Sequence, residues 1–63
     1  MEKLKIIRKE KGMTQKELSI RSDVKLGSIQ HYEQGYRDLK KADAYTVFKL
    51  AIALGCDMEE LIN

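Results

Sequence analysis

The sequence predicts an all-α fold of five short helices, and three observations predict it. Apolar residues recur at three- and four-residue spacing, the period of a helix face. Helix starts are marked: Thr14 with Glu17 and Asp57 with Glu60 stand at capping-box spacing, and Asp43 is a good cap residue. Helix stops are marked by Gly12, Gly35 and Gly55, because glycine accepts the left-handed conformation that closes a helix. No strand pattern, internal repeat, low-complexity tract or linker breaks the series. Sixty-three residues are expected to make one domain.

Helix 1 is expected from about Glu2 to Lys11. Leu4 and Ile7 face inward, Ile6 lies at the boundary, and Lys3, Lys5, Lys9 and Glu10 are solvated. Met13 precedes the capping threonine, where a hydrophobic staple sits. Helix 2 runs from about Gln15 to Arg21 with Leu18 as its apolar residue. Arg21-Ser22-Asp23 has no apolar side chain and reads as a turn. Val24 opens a second apolar pattern, with Ile29 and Tyr32 three apart on one face of helix 3. That helix begins at Lys25 or Leu26 and ends at Gln34. Its start is weak, since lysine cannot accept a capping hydrogen bond and Gly27 costs up to about 1 kcal/mol relative to alanine. Residues 36–42 form a basic loop anchored by Leu39. Helix 4 runs from Asp43 to Leu54, with Val47, Leu50, Ala51 and Leu54 as its buried stripe. Helix 5 follows Asp57 and carries Met58, Leu61 and Ile62.

A chain this short buries only about 60% of its unfolded surface, so its stability margin is small. One cysteine, Cys56, excludes an intrachain disulfide and a multi-cysteine zinc site; it fits a core position between helices 4 and 5. One histidine and one cysteine on different elements make no catalytic set, and there is no Gly-rich phosphate loop. No enzyme activity, cofactor, metal or small-molecule ligand is expected. No apolar run approaches the length of about 20 residues that a membrane span needs. The N-terminal residues lack the continuous apolar core of a signal peptide, so a cytoplasmic location is expected. The net charge of +2 hides an asymmetry. Residues 1–41 hold eleven Lys/Arg and six Asp/Glu, whereas residues 42–63 hold one Lys and four Asp/Glu. A basic portion suits a polyanion, and the acidic end suits something else.

A helix, a short turn and a second helix over Thr14–Gly35 is the unit that sets one helix in a DNA major groove. The stretch resembles the helix-turn-helix of the XRE family, the Cro and phage-repressor superfamily. The matching residues are Gly12, Thr14-Gln15, Leu18, Val24, Ile29 and the Tyr32-Glu33-x-Gly35 ending. Leu50-Ala51, Leu54-Gly55, Asp57 and Leu61 extend the likeness over nearly the whole chain. Ser19 stands where the family usually has alanine, and serine is small enough for the two helices to approach.

The resemblance implies a lambda-repressor-like domain that binds double-stranded DNA, as a prokaryotic or phage transcriptional regulator of repressor type. It assigns DNA contacts to Thr14, Gln15, Lys25, Leu26, Gly27, Ser28, Gln30, His31, Gln34, Tyr36 and Arg37. Gln15 is then a phosphate clamp at a helix N-terminus, which physics favours. The outer face of helix 3 reads bases. Glutamine pairs with adenine, leucine meets only a thymine methyl, and glycine only lets the backbone approach. Leu26 has two places open to it, the core or the groove. Tyr36 packs on its loop or bonds a phosphate. Arg8 and Glu33 stand where the family has an ion pair that supports the recognition helix.

Tyr45, Phe48 and Ile52 make a second stripe on helix 4. With Met58 and Ile62 they either roof the core or form a dimer face. The family commonly binds palindromic operators as dimers, so a weak homodimer is the expected assembly. A second function stays open: a small antitoxin-like protein-interaction module, using the apolar stripe and acidic end, with DNA contact secondary.

Overall fold

The computed structural model describes residues 2–63 and holds five α-helices, with no strand among the described residues. They are α1 (Lys3–Glu10), α2 (Gln15–Ser22), α3 (Leu26–Gln34), α4 (Ala44–Leu54) and α5 (Met58–Ile62). A 3-10 turn, Leu39–Lys41, interrupts the connection from α3 to α4. Each piece gives the core at least one buried residue: Leu4, Leu18, Ile29 with Tyr32, Leu39, the Val47–Leu50–Ala51–Leu54 stripe, and Leu61. A fully buried leucine contributes roughly 1.5–3 kcal/mol. α2 packs on α3 and α4, while α1 closes the bundle against α3 and α5.

The starts are local chemistry. Thr14 Oγ1 accepts from the Glu17 N–H at 3.0 Å, and the Glu17 carboxylate accepts from the Thr14 N–H at 2.9 Å. Asp43 Oδ1 accepts from the Thr46 N–H at 2.7 Å, and this bond holds the Asp43 carboxyl below its usual range. The Glu60 carboxylate accepts from the Asp57 N–H at 2.8 Å. The basic loop is more ordered than its composition suggests. Asp38 accepts from the Lys40 N–H at 3.0 Å, and the resulting turn drives Leu39 into the core.

The turn between α2 and α3 starts later than the sequence indicates. Arg21 and Ser22 belong to α2, and the turn is Asp23-Val24-Lys25. Ser22 is buried without being apolar. Its hydroxyl donates to the Leu18 carbonyl at 2.6 Å and accepts from the Val24 N–H at 3.2 Å. Ser19 Oγ donates to the Val24 carbonyl at 2.7 Å and ties the same turn from its other side. Asp23 takes the left-handed conformation, φ 59°, that ends α2. A β-branched side chain is strained there, so Asp23→Val is expected to cost about 1–2 kcal/mol in thermal melts. Asp23→Gly is expected to cost nothing, and equal losses in both variants would show that side-chain contacts of Asp23 matter more than its backbone.

The apolar residues of the C-terminal part divide into two groups. Met58 and Ile62 are half-buried and pack against the core. Tyr45, Phe48 and Ile52 are 68%, 48% and 66% exposed, so they do not roof it. Ile20 of α2, which no sequence pattern singled out, is also exposed. Cys56 is half-buried against the core, and burial pushes its thiol pKa up. No helix among the described residues is long and apolar enough to cross a membrane.

Candidate DNA interface

α3 is held by its inner face. Ile29 and Tyr32 are buried, and Glu33 beside them is buried as well. Three hydrogen bonds converge on the Glu33 carboxylate. Arg8 Nε donates to Oε2 at 2.7 Å, Arg8 Nη2 donates to Oε1 at 2.9 Å, and Gln15 Nε2 donates to Oε1 at 3.0 Å. Arg8 Nη1 also donates to the Met13 carbonyl at 2.7 Å. The end of α3 is thereby tied to α1, to the segment after it and to the first residue of α2. The bidentate pair raises the pKa of Arg8. Burial alone would push Glu33 up, but the bonds from Arg8 and Gln15 and the Arg8 charge reverse this and hold it below the usual carboxylate range.

The ends of α3 differ. Lys25 provides no side-chain cap at its start. Gly35 closes it at φ 83°, and the N–H groups of Tyr36 and Arg37 then bond the His31 carbonyl at 2.9 and 3.2 Å. That tight reversal folds the chain back along the helix. Arg37 lies with its guanidinium carbon 4.8 Å from the Tyr32 ring centroid, and its Nη1 donates to Ser28 Oγ at 3.2 Å. The Tyr36 ring stands edge-on to His31, with centroids 5.9 Å apart.

The outer face of α3 holds Leu26, Gly27 and His31 exposed, with Ser28 and Gln30 half-buried. Leu26 is 37% exposed and outside the core. Gly27 has an ordinary helical backbone, and a Cβ built on it would meet nothing within 4 Å. Nothing among the described residues requires glycine there. Lys25, Gln34, Tyr36 and Arg37 are exposed around this face. Thr14 is exposed, with its hydroxyl engaged in the cap. Gln15 is half-buried, and its amide faces Glu33. One contact comes from outside the helix-turn-helix: Lys49 Nζ of α4 donates to the Asp23 carbonyl at 3.3 Å and lies 4.7 Å from the Tyr45 ring centroid. No group of three or more His, Cys, Asp or Glu among the described residues is placed to hold a metal.

Two short helices at a fixed turn, the second braced on its inner face and open on its outer one, define a DNA-binding helix-turn-helix protein. The family model described as Helix-turn-helix matches residues 4–61, and the chain belongs to this family, the XRE-type DNA-binding proteins. Its fold is the lambda-repressor-like one of five helices, and its function is of the DNA-binding, transcription-regulator type. Neither a curated protein nor a solved structure gives a match.

Proposed function

We propose that the chain binds a specific double-stranded DNA operator, with α3 in the major groove, as a transcriptional repressor of prokaryotic or phage type. The observation that carries this reading is the division of α3 into a pinned inner face and an outer face of Leu26, Gly27, Gln30 and His31. Gln30 and His31 supply the polar base readers. Leu26 supplies an apolar contact that favours thymine over cytosine through the 5-methyl group. Thr14, Gln15, Lys25, Ser28, Gln34, Tyr36 and Arg37 surround them as phosphate contacts, which position the helix and carry no base code. Residues 1–63 act as one DNA-binding unit, and two copies pair through Tyr45, Phe48 and Ile52 on a palindromic site.

Selection of bound duplexes from a random pool, at two salt concentrations, tests the reading. An enriched palindrome is expected, and Gln30→Ala with His31→Ala should relax one or two of its positions at a cost of about 1–3 kcal/mol each. The exposed trio on α4 also favours a second reading, an antitoxin-like module whose main partner is a protein. A pool with no enriched duplex, together with stoichiometric capture of one protein through α4, would decide for that reading.

Gly27 gives a sharper test, because stability and binding should move in opposite directions. With open space around its Cβ, Gly27→Ala should stabilise the fold by up to about 1 kcal/mol. If the backbone there approaches DNA closely, the same methyl group should weaken operator binding. A variant that is more stable and binds at wild-type affinity would remove Gly27 from the contact surface.

A further inference from the structure

A cleft of about 230 Å³ opens between the start of α3 and α4. Lys25, Arg37 and Lys49 line it, with the Ser28 and Thr46 hydroxyls, and Asp23 is the one acid among its walls. The three cations come from three separate places: the turn before α3, the reversal after it, and the middle of α4. None of them forms an ion pair; the one such pair among the described residues is Arg8 with Glu33. Their donors are also largely unspent. Lys49 uses one on the Asp23 carbonyl and Arg37 uses one on Ser28, whose own O–H is left to donate. Three cations against one carboxylate leave the opening with an excess of positive charge, which a bound anion would offset. A larger cleft, of about 270 Å³, mixes Glu2 and Asp38 with Lys3 and Lys40 and has no such bias.

We infer that the cleft between α3 and α4 seats a backbone phosphate of the bound DNA strand, and that Lys49 of α4 is a phosphate-binding residue beyond the helix-turn-helix. This rests on the proposed DNA reading. Lys25, just before α3, and Ser28, in its first turn, flank Leu26 and Gly27. A duplex that takes α3 into its major groove carries its sugar-phosphate edge past that turn. The phosphate replaces the long bond from Lys49 to Asp23 with a charge-assisted one. α4 then touches DNA as well as the core, which fixes the angle at which α3 enters the groove.

Lys49→Met removes the charge and keeps most of the stem. Each phosphate contact changes the slope of log affinity against log salt by about 0.9, so its loss should shrink the wild-type advantage about 3.5-fold between 50 and 200 mM salt. Affinity should fall alike for operator and unrelated duplexes, the selected sequence should stay the same, and Lys49→Arg should restore the slope. Lys9→Met, at an exposed lysine on α1, is the control for general charge and should leave the slope almost unaltered. Equal slope changes in the Lys49→Met and Lys9→Met proteins, or none in Lys49→Met, would overturn the seat. Should the wild type bind no duplex, the DNA reading falls separately. Amide shifts in sodium phosphate against sodium chloride of equal ionic strength then decide the seat. Saturable shifts at Ser28 and Lys49, lost in Lys49→Met, would keep an anion site for a free phosphate compound, and their absence would remove it.

Discussion

Glu33→Ala is expected to lower the melting midpoint of the free protein by more than ten degrees, or to leave it unfolded at room temperature. The Arg8 and Glu33 side chains are 9% and 2% exposed, so the pair is shielded from water on both sides. Removing one partner of a buried pair leaves a desolvated charge and costs about 3–5 kcal/mol. At roughly 0.05–0.15 kcal/mol per residue, the whole fold has only about 3–9 kcal/mol to lose. For a domain of this size each kcal/mol moves the midpoint by about 4–8 °C. The loss falls on α3 in particular, because Arg8 and Gln15 both reach α3 through this carboxylate. A midpoint within about 5 °C of wild type would reduce the pair to the strength of a surface one. Arg8→Met with Glu33→Met should recover part of the loss but not all, since the Met13 carbonyl and the Gln15 amide then lose their partners.

The same group makes a pH prediction. Its folded pKa is depressed, so the contribution is fully present above the unfolded value of about 4.3. It is lost as pH falls below that value and through the lower folded one. Wild type should therefore lose stability on acidification below about pH 4.3 more steeply than the double methionine variant.

What could be read from the sequence divides by distance along the chain. The caps are contacts across three residues, and Thr14 with Glu17, Asp43 with Thr46 and Glu60 with Asp57 all sit at visible spacing. The helices could be read for that reason. The turn boundary could not, because Ser22 looks like a turn residue by type. It is helical here and buried, with its hydroxyl bonded to the Leu18 carbonyl. The supports of α3 lie beyond any local pattern. Arg8 and Glu33 are 25 apart, Gln15 and Glu33 18 apart, and Lys49 and Asp23 26 apart. Resemblance alone pointed to the first of these pairs, and nothing pointed to the others. Periodicity separated the Tyr45–Phe48–Ile52 stripe from the core stripe of α4. It could not say whether other elements cover that stripe, which depends on where α2 and α5 dock.

Phe48→Gln with Ile52→Gln is expected to abolish paired binding and leave half-site binding intact. The protein measures 24 × 22 × 21 Å, less than the roughly 34–36 Å between half-sites one DNA turn apart. In the proposed reading one copy takes one half-site, and tight binding takes a second. The apolar trio suits an isologous contact, in which the same patch meets itself across a two-fold axis. A standard interface takes about 800 Å² from each partner, about a fifth of the 4206 Å² surface of this chain. Three side chains fall short of that, so the dimer should be weak in solution and form on DNA. There the second copy binds at high effective concentration, which is worth about 10²–10⁴-fold. Glutamine keeps the helix and adds no charge toward a polyanion, so the variant isolates the pairing. Sedimentation should show two wild-type copies per palindromic duplex. For the variant it should show independent filling, with palindrome affinity reduced about 100-fold or more and half-site affinity unchanged. One wild-type copy on every palindromic duplex, or wild-type affinity in the folded variant, would leave the exposed trio without a role in pairing.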